Sequence, residues 1–180
     1  LVGCGGRGTG AAIQAMSTKE NVKLVAMADA FRDRLDDCYK ILSTKFAGSD
    51  KLLLKEEDKH VGFDAYKAAI DKADVVLLTT TPGFRPIHFE YAVSKGKHVF
   101  MEKPVATDAP GIRRVLAAAE QAKAKKLNVV VGLQRRYQKS YLACLEHIRA
   151  GKIGQIVSGQ VYWNSAGVWV KERQPGQTEM

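Results

Sequence analysis

The chain has 180 residues, of which 46% are hydrophobic and 26% charged, and a formal charge of +9. That size fits one full domain with a small appendage, and no apolar run approaches the roughly 18–20 residues that a membrane-spanning helix needs. The excess charge reads as a solvated, lysine-rich surface rather than a nucleic-acid site. Its densest cluster, Lys123, Lys125 and Lys126, closes a predicted helix, where cations suit the dipole, and no basic and aromatic residues interleave as in single-strand binders.

In chain order the pattern alternates strand and helix. Leu1-Val2 read as the end of a first strand, and a helix is expected from Thr9 to Met16. Val22–Ala28 read as a buried strand that delivers Asp29 at its carboxyl end. Leu35, Cys38, Tyr39 and Leu42 recur at helical spacing. The polar stretch 47–59 reads as a loop, Val61–Phe63 as a short strand, and 65–70 as a helix. Val75–Thr80 is an apolar run of strand length, broken by Pro82-Gly83 and followed by a helix over 87–94 that Gly96 ends. His98–Met101 reads as a strand, Ile112, Val115, Leu116 and Ala119 as a helix face, and 128–133 as a buried strand. Tyr141, Leu145 and Ile148 mark another helix, and Ile156–Tyr162 alternate like a half-exposed strand. Strands separated by helices imply an α/β fold with a doubly wound parallel sheet, the Rossmann arrangement. The last strand suggests the start of a second, antiparallel sheet. The expected division is a dinucleotide-binding domain over 1–136 and the incomplete start of a substrate and oligomerisation domain over 137–180.

Three cysteines, Cys4, Cys38 and Cys144, are far apart and include no Cys-x-x-Cys pair, so neither a zinc site nor a disulfide framework is expected. Cys4 is read as a small residue tolerated in a glycine turn, not as a nucleophile. No signal peptide is visible, but the sequence begins inside a strand without an initiator Met. The compartment therefore stays open between cytoplasm and, with a leader lost upstream, periplasm or exterior.

Gly3, Gly5 and Gly8, with Gly6 and Arg7 between them, give the spacing G-x-G-x-x-G. The first glycine permits a tight turn, the second lets the backbone approach a pyrophosphate, and the third lets helix and strand pack closely. Free N–H groups at the helix start then face the phosphates. Asp29 follows Gly8 by 21 positions, near the spacing of the acid that binds the adenosine ribose. Its carboxylate favours NAD, while Arg32 and Arg7 leave NADP open. The plain alternative for Asp29 is a helix cap.

Glu102-Lys103-Pro104 follows the strand His98–Met101 directly, at the sheet edge where open parallel sheets bind ligands. A lysine held there can hydrogen-bond a substrate hydroxyl or donate a proton. Local chemistry alone leaves an ordinary solvated loop equally open.

At this point the sequence resembles the glucose–fructose oxidoreductase and inositol dehydrogenase family, Gfo/Idh/MocA. The resemblance runs from Leu1 to about Asn164. It rests on the glycine turn, Thr81-Pro82 with His88, Gly96-Lys97-His98-Val99, Glu102-Lys103-Pro104-Val105-Ala106, and Gly132-Leu133-Gln134-Arg135-Arg136-Tyr137. It also looks like a subgroup with secreted members in bacteria. The resemblance implies a Rossmann domain followed by an open-faced antiparallel sheet, with NAD or NADP as cofactor. It implies that Lys103 is the catalytic-site lysine and that the Lys103–Pro104 peptide is cis. Pro82 and His88 would lie near the dinucleotide, Thr80 and Thr81 beside it, and Glu102 near the nicotinamide ribose. Gln134, Arg135, Arg136 and Tyr137 would lie at the crossing into the second domain, near the nicotinamide or substrate, with Gln134 and Arg136 among the cofactor-binding residues. Trp163 and Trp169 would either stack on a sugar or serve as core.

The implied reaction is hydride transfer between the cofactor and a hydroxyl-bearing carbon of a sugar or cyclitol. The alternatives are an NAD-dependent glycoside hydrolase of the same fold and a non-enzymatic dinucleotide-binding protein. The family's downstream acid–base histidine has no counterpart here, and His147, on an amphipathic helix, does not replace it. The chain thus reads as a part that binds cofactor without completing the active site, from a protein that is a homo-oligomer when whole.

Overall fold

The computed structural model describes residues 1–167 and 172–176. They fall into two compact units, Leu1–Gln134 and Arg135–Met180.

In the first unit all strand pairs are parallel. β1 (Met27–Asp29) pairs with β2 (Lys59–Val61), and β3 (Val75–Leu78), β4 (His98–Met101) and β5 (Val129–Val131) pair in that order. Val2 joins the two groups, bridging Ala28 on one side and Leu78 on the other. Its N–H donates to the Leu77 carbonyl at 2.9 Å, and its own carbonyl accepts from Thr79 N–H at 2.8 Å. The order is therefore β2, β1, the Leu1–Val2 segment, β3, β4, β5, the doubly wound arrangement that the alternation of strands and helices predicts.

Helices α1 (Gly6–Met16) and α2 (Arg32–Lys45) contribute to one core with Leu1, Cys4, Leu24 and Met27. Helices α3 (Ala65–Lys72), α4 (Arg85–Ser94) and α5 (Ala109–Ala124) contribute to the other, with Ala28, Val76, Leu78, Val99 and Met101. The strands serve both because successive side chains point to opposite faces. Phe89 on α4 is fully buried, and burying a ring of that size contributes about 2–3 kcal/mol. The start of α5 is fixed locally: the Asp108 carboxylate accepts from Gly111 N–H at 2.6 Å, and Pro110 sits in the first turn.

Several element boundaries differ from the sequence reading. Of the expected strand 22–28, only Met27 and Ala28 lie in the ladder, together with Asp29, and Leu24 makes an isolated bridge to Leu52. Stretch 47–59 is more than a loop, since Leu52 and Leu54 pack on the α1–α2 core and 56–58 form a short 3-10 turn. The short strand is Lys59–Val61 and not Val61–Phe63, because Gly62 turns the chain at φ +118°. α1 begins at Gly6 and α4 at Arg85, each earlier than the apolar spacing suggests.

The second unit carries α6 (Lys139–Arg149), none of whose residues is buried. The strand expected over Ile156–Tyr162 does not form. Val157 and Val161 are 89% and 96% exposed, and the described residues of this unit supply no strand for it to pair with. Alternation marks which face a strand would bury; it does not provide the ladder partner. Trp163 is exposed, and Trp169 lies outside the described residues.

Candidate functional site

The parallel sheet brings four strand ends to one edge. Val2 leads into Gly3, β1 ends at Asp29, β3 leads to Thr79–Pro82, and β4 leads to Glu102–Pro104. Among the described residues no cluster of potential metal ligands forms, and no helix is long and apolar enough to cross a membrane.

The glycine turn is fixed by two contacts that only glycine allows. Gly3 has φ +95°, and a Cβ there would lie 2.6 Å from Thr80 N. A Cβ on Gly8 would lie 1.9 Å from the Gly3 carbonyl oxygen. That oxygen accepts from the Thr79 hydroxyl at 2.7 Å, which ties the turn to the end of β3. Gly5 and Gly6 differ, because a Cβ on either meets no atom within 4 Å. The space before the first turn of α1 is thus clear, and no side chain caps that helix start. Open backbone donors behind a clear approach suit a phosphate.

The Asp29 carboxylate accepts from Cys4 N–H at 2.6 Å and from Phe31 N–H at 3.0 Å. It therefore serves the turn and the approach to α2 together. Cys4 donates its thiol to the Ala28 carbonyl at 3.5 Å. A hydrogen bond with Cys38 and burial push that thiol's pKa up, so it stays protonated at neutral pH and is no nucleophile.

Beside Asp29 lies a shallow cleft walled by Phe63, Tyr66, Thr80, Phe84 and His88. The rings form a chain: Phe63 to Phe84 at 5.8 Å between centroids, Phe84 to His88 at 6.2 Å, and His88 to Tyr66 at 4.3 Å. His88 is buried, with Nδ1 3.3 Å from the Thr80 hydroxyl. Burial, then the charge of Arg85, lower its pKa to about 4. At neutral pH it is an uncharged ring.

Glu102 and Lys103 leave β4 in opposite circumstances. Glu102 is buried, and its Oε1 accepts from Arg7 Nε at 2.6 Å, so the glycine turn and the β4 end are joined directly. Lys103 is exposed and has no ion-pair partner among the described residues. The Lys103–Pro104 peptide is cis. Thr81 is exposed and Pro82 half-buried on the following turn.

Arg32 is turned to other partners, Glu56 at 3.3 Å and Asp36 at 3.8 Å. Gln134 is exposed and ends the first unit, and Arg135, Arg136 and Tyr137 belong to the second.

The sequence reading overlooked Arg85, Thr79 and the aromatic walls Phe63 and Phe84. Arg85 did carry a signal. A cation in the first turn of a helix opposes the helix dipole, so a strong reason to hold it there was to be expected.

A comparison with protein-family models matches residues 1–132 to GFO_IDH_MocA, described as an oxidoreductase family with an NAD-binding Rossmann fold. The chain belongs to the Gfo/Idh/MocA oxidoreductase family. Among Gfo/Idh/MocA relatives, the inositol 2-dehydrogenase of Salmonella typhimurium (strain LT2) is 30% identical over 167 residues, 90% of this chain and 45% of its own length. That of Rhizobium meliloti is 31% identical over 143 residues, 79% of this chain and 38% of its own. The crystal structure of scyllo-inositol dehydrogenase from Lactobacillus casei, with bound NAD(H) and scyllo-inositol, aligns with a TM-score of 0.64 at 26% identity. It covers 85% of this chain and 41% of its own. The chain thus spans less than half the length of these Gfo/Idh/MocA relatives, and the part it spans carries the family's NAD-binding Rossmann domain.

Proposed function

We propose that this chain is the dinucleotide-holding part of an NAD-dependent dehydrogenase acting on a cyclitol or sugar hydroxyl. One observation carries the reading: the Arg7–Glu102 ion pair joins the glycine turn to the segment bearing Lys103 across 95 positions of sequence. The phosphate-binding feature and the candidate proton-handling amine therefore stand on one edge.

The residues fit the cofactor. Gly5 and Gly6 leave the start of α1 clear for the pyrophosphate, in a turn whose shape Gly3 and Gly8 fix. Asp29 would accept from the adenosine ribose, and the cleft lined by Phe63, Phe84, Thr80 and His88 would take the adenosine end. Thr81 and Pro82 would border the dinucleotide, and Glu102 would meet the nicotinamide ribose. With its guanidinium held by Glu102 and by Gln14, Arg7 offers a partly exposed cation beside the phosphates. Arg32, which follows Asp29 by three positions, forms exposed ion pairs with two acids that an incoming phosphate could displace. NAD, when bound, accepts or returns the hydride. Lys103 would hydrogen-bond the reacting hydroxyl and move its proton. Gln134 and Arg136 would stand at the entry to a substrate domain that begins near residue 137.

The test is NAD⁺ reduction by the full-length protein with myo-inositol, scyllo-inositol and glucose, compared with Lys103→Ala. The expected loss of turnover in the variant is about 100-fold or more, with NADH affinity nearly intact. Unchanged turnover would remove Lys103 from its role, and no turnover on any polyol would remove the substrate class.

A further inference from the structure

We infer that Arg85 is a positioning residue for Lys103: its guanidinium clamps the main chain just beyond Lys103 to the end of β3. The inference rests on the function proposed above for Lys103, but the clamp itself is a matter of named contacts.

Arg85 is 2% exposed. One terminal nitrogen donates to the Pro104 carbonyl and the other to the Thr80 carbonyl. Its Nε is buried and has no partner. No carboxylate forms an ion pair with it among the described residues, and Glu102 acts on it only through the longer-range charge. A buried cation without an acid beside it is costly, and this one also opposes the dipole of its own helix. An apolar side chain of similar volume would avoid both costs. What it would lose is a planar fork that reaches two carbonyls at once, a geometry an ammonium does not reproduce.

The two carbonyls are informative in themselves. Thr80 lies two residues beyond the end of β3, and Pro104 three beyond the end of β4. Both are past the strand ladder and take a donor from outside it. Arg85 supplies it to both and thereby fixes the separation of the two strand exits. Lys103 is the residue between buried Glu102 and clamped Pro104. Its backbone is held on both sides while its side chain stays exposed, as a preorganised amine requires.

The test has two arms on the full-length protein, with Arg85→Lys and Arg85→Met, the second leaving no buried charge if the first misfolds. In the first arm, hydrogen exchange of peptides covering 101–107 is followed without substrate. Exchange at least about tenfold faster than in the parent, with peptides from β1 and α2 unchanged, is expected for a lost clamp. Unchanged exchange at 101–107 overturns the inference whether or not the protein is a dehydrogenase.

In the second arm, cyclitol oxidation is measured in parent, Arg85→Lys, Lys103→Ala and the double variant. Arg85→Lys is expected to lower kcat about 30- to 100-fold with KM for NAD⁺ within about threefold, and to add little in the Lys103→Ala background. Equal losses in both backgrounds would show a general structural role and overturn the positioning claim. A parent that oxidises no cyclitol would refute the proposed function and leave the clamp to be decided by exchange alone.

Discussion

Acidification should unfold this domain partly through one imidazole. His88 is 5% exposed, faces the Tyr66 ring, and lies near the buried Arg85. Its pKa falls from the ordinary 6.5 to about 4. The unfolded chain therefore takes up a proton between those values while the folded chain does not. The stabilisation is complete above pH 6.5 and is lost as pH falls through the window down to about 4. A shift of that size corresponds to about 3 kcal/mol in total, of which about 2 kcal/mol is gone by pH 5. With a urea dependence of about 2 kcal/mol per molar, the unfolding midpoint should drop by about 1 M between neutral pH and pH 5 from this group alone. The assay is urea unfolding at several pH values for the parent and for His88→Gln, which cannot take up the proton. The difference between the two slopes isolates His88 from the carboxylates. Identical slopes, or an NMR titration of the ring midway at 6 or above, would refute the reasoning.

Three further outcomes follow from geometry. Gly8→Ala puts a methyl 1.9 Å from a carbonyl oxygen; it should cost more than about 3 kcal/mol and abolish NADH binding by fluorescence titration. Phe89→Ala opens a fully buried site on α4 and should cost about 3–5 kcal/mol in urea unfolding, with little change in NADH affinity at low denaturant. Arg7→Met removes the ion pair to Glu102 and should weaken NADH binding about fivefold or more at low ionic strength, less at high salt; a salt-independent affinity would count against it.

The glycine turn and Asp29 were legible because their requirements are local. A positive φ, a helix packed on a strand, and an acid at the next strand end all follow from short-range spacing. The position of Lys103 at the sheet edge was legible for the same reason. Arg85 was not, because its partners are two carbonyls 5 and 19 positions away that only the fold brings together. The alternation at 156–162 predicted a strand that does not form, since pairing depends on a neighbour and not on the sequence of the strand itself. Conversely, the lysines and acids of 47–59 suggest a loop and outweigh Leu52 and Leu54, which nonetheless pack on the core. Arg32 forms exposed ion pairs with Glu56 and Asp36, and only the second, at i,i+4, follows from local spacing.

The carboxylate of Asp29 already holds Cys4 N–H and Phe31 N–H. A carboxylate has about four lone-pair positions, so two remain for incoming hydroxyls and nothing need be given up when they arrive. The same economy makes the residue hard to replace. Any redesign that exchanged Asp29 for a neutral or basic side chain to admit a 2′-phosphate would also release the amide that anchors the glycine turn. Changing the cofactor preference of this domain is therefore a two-site problem, in which a substitute acceptor for Cys4 N–H has to be supplied along with the new phosphate contact.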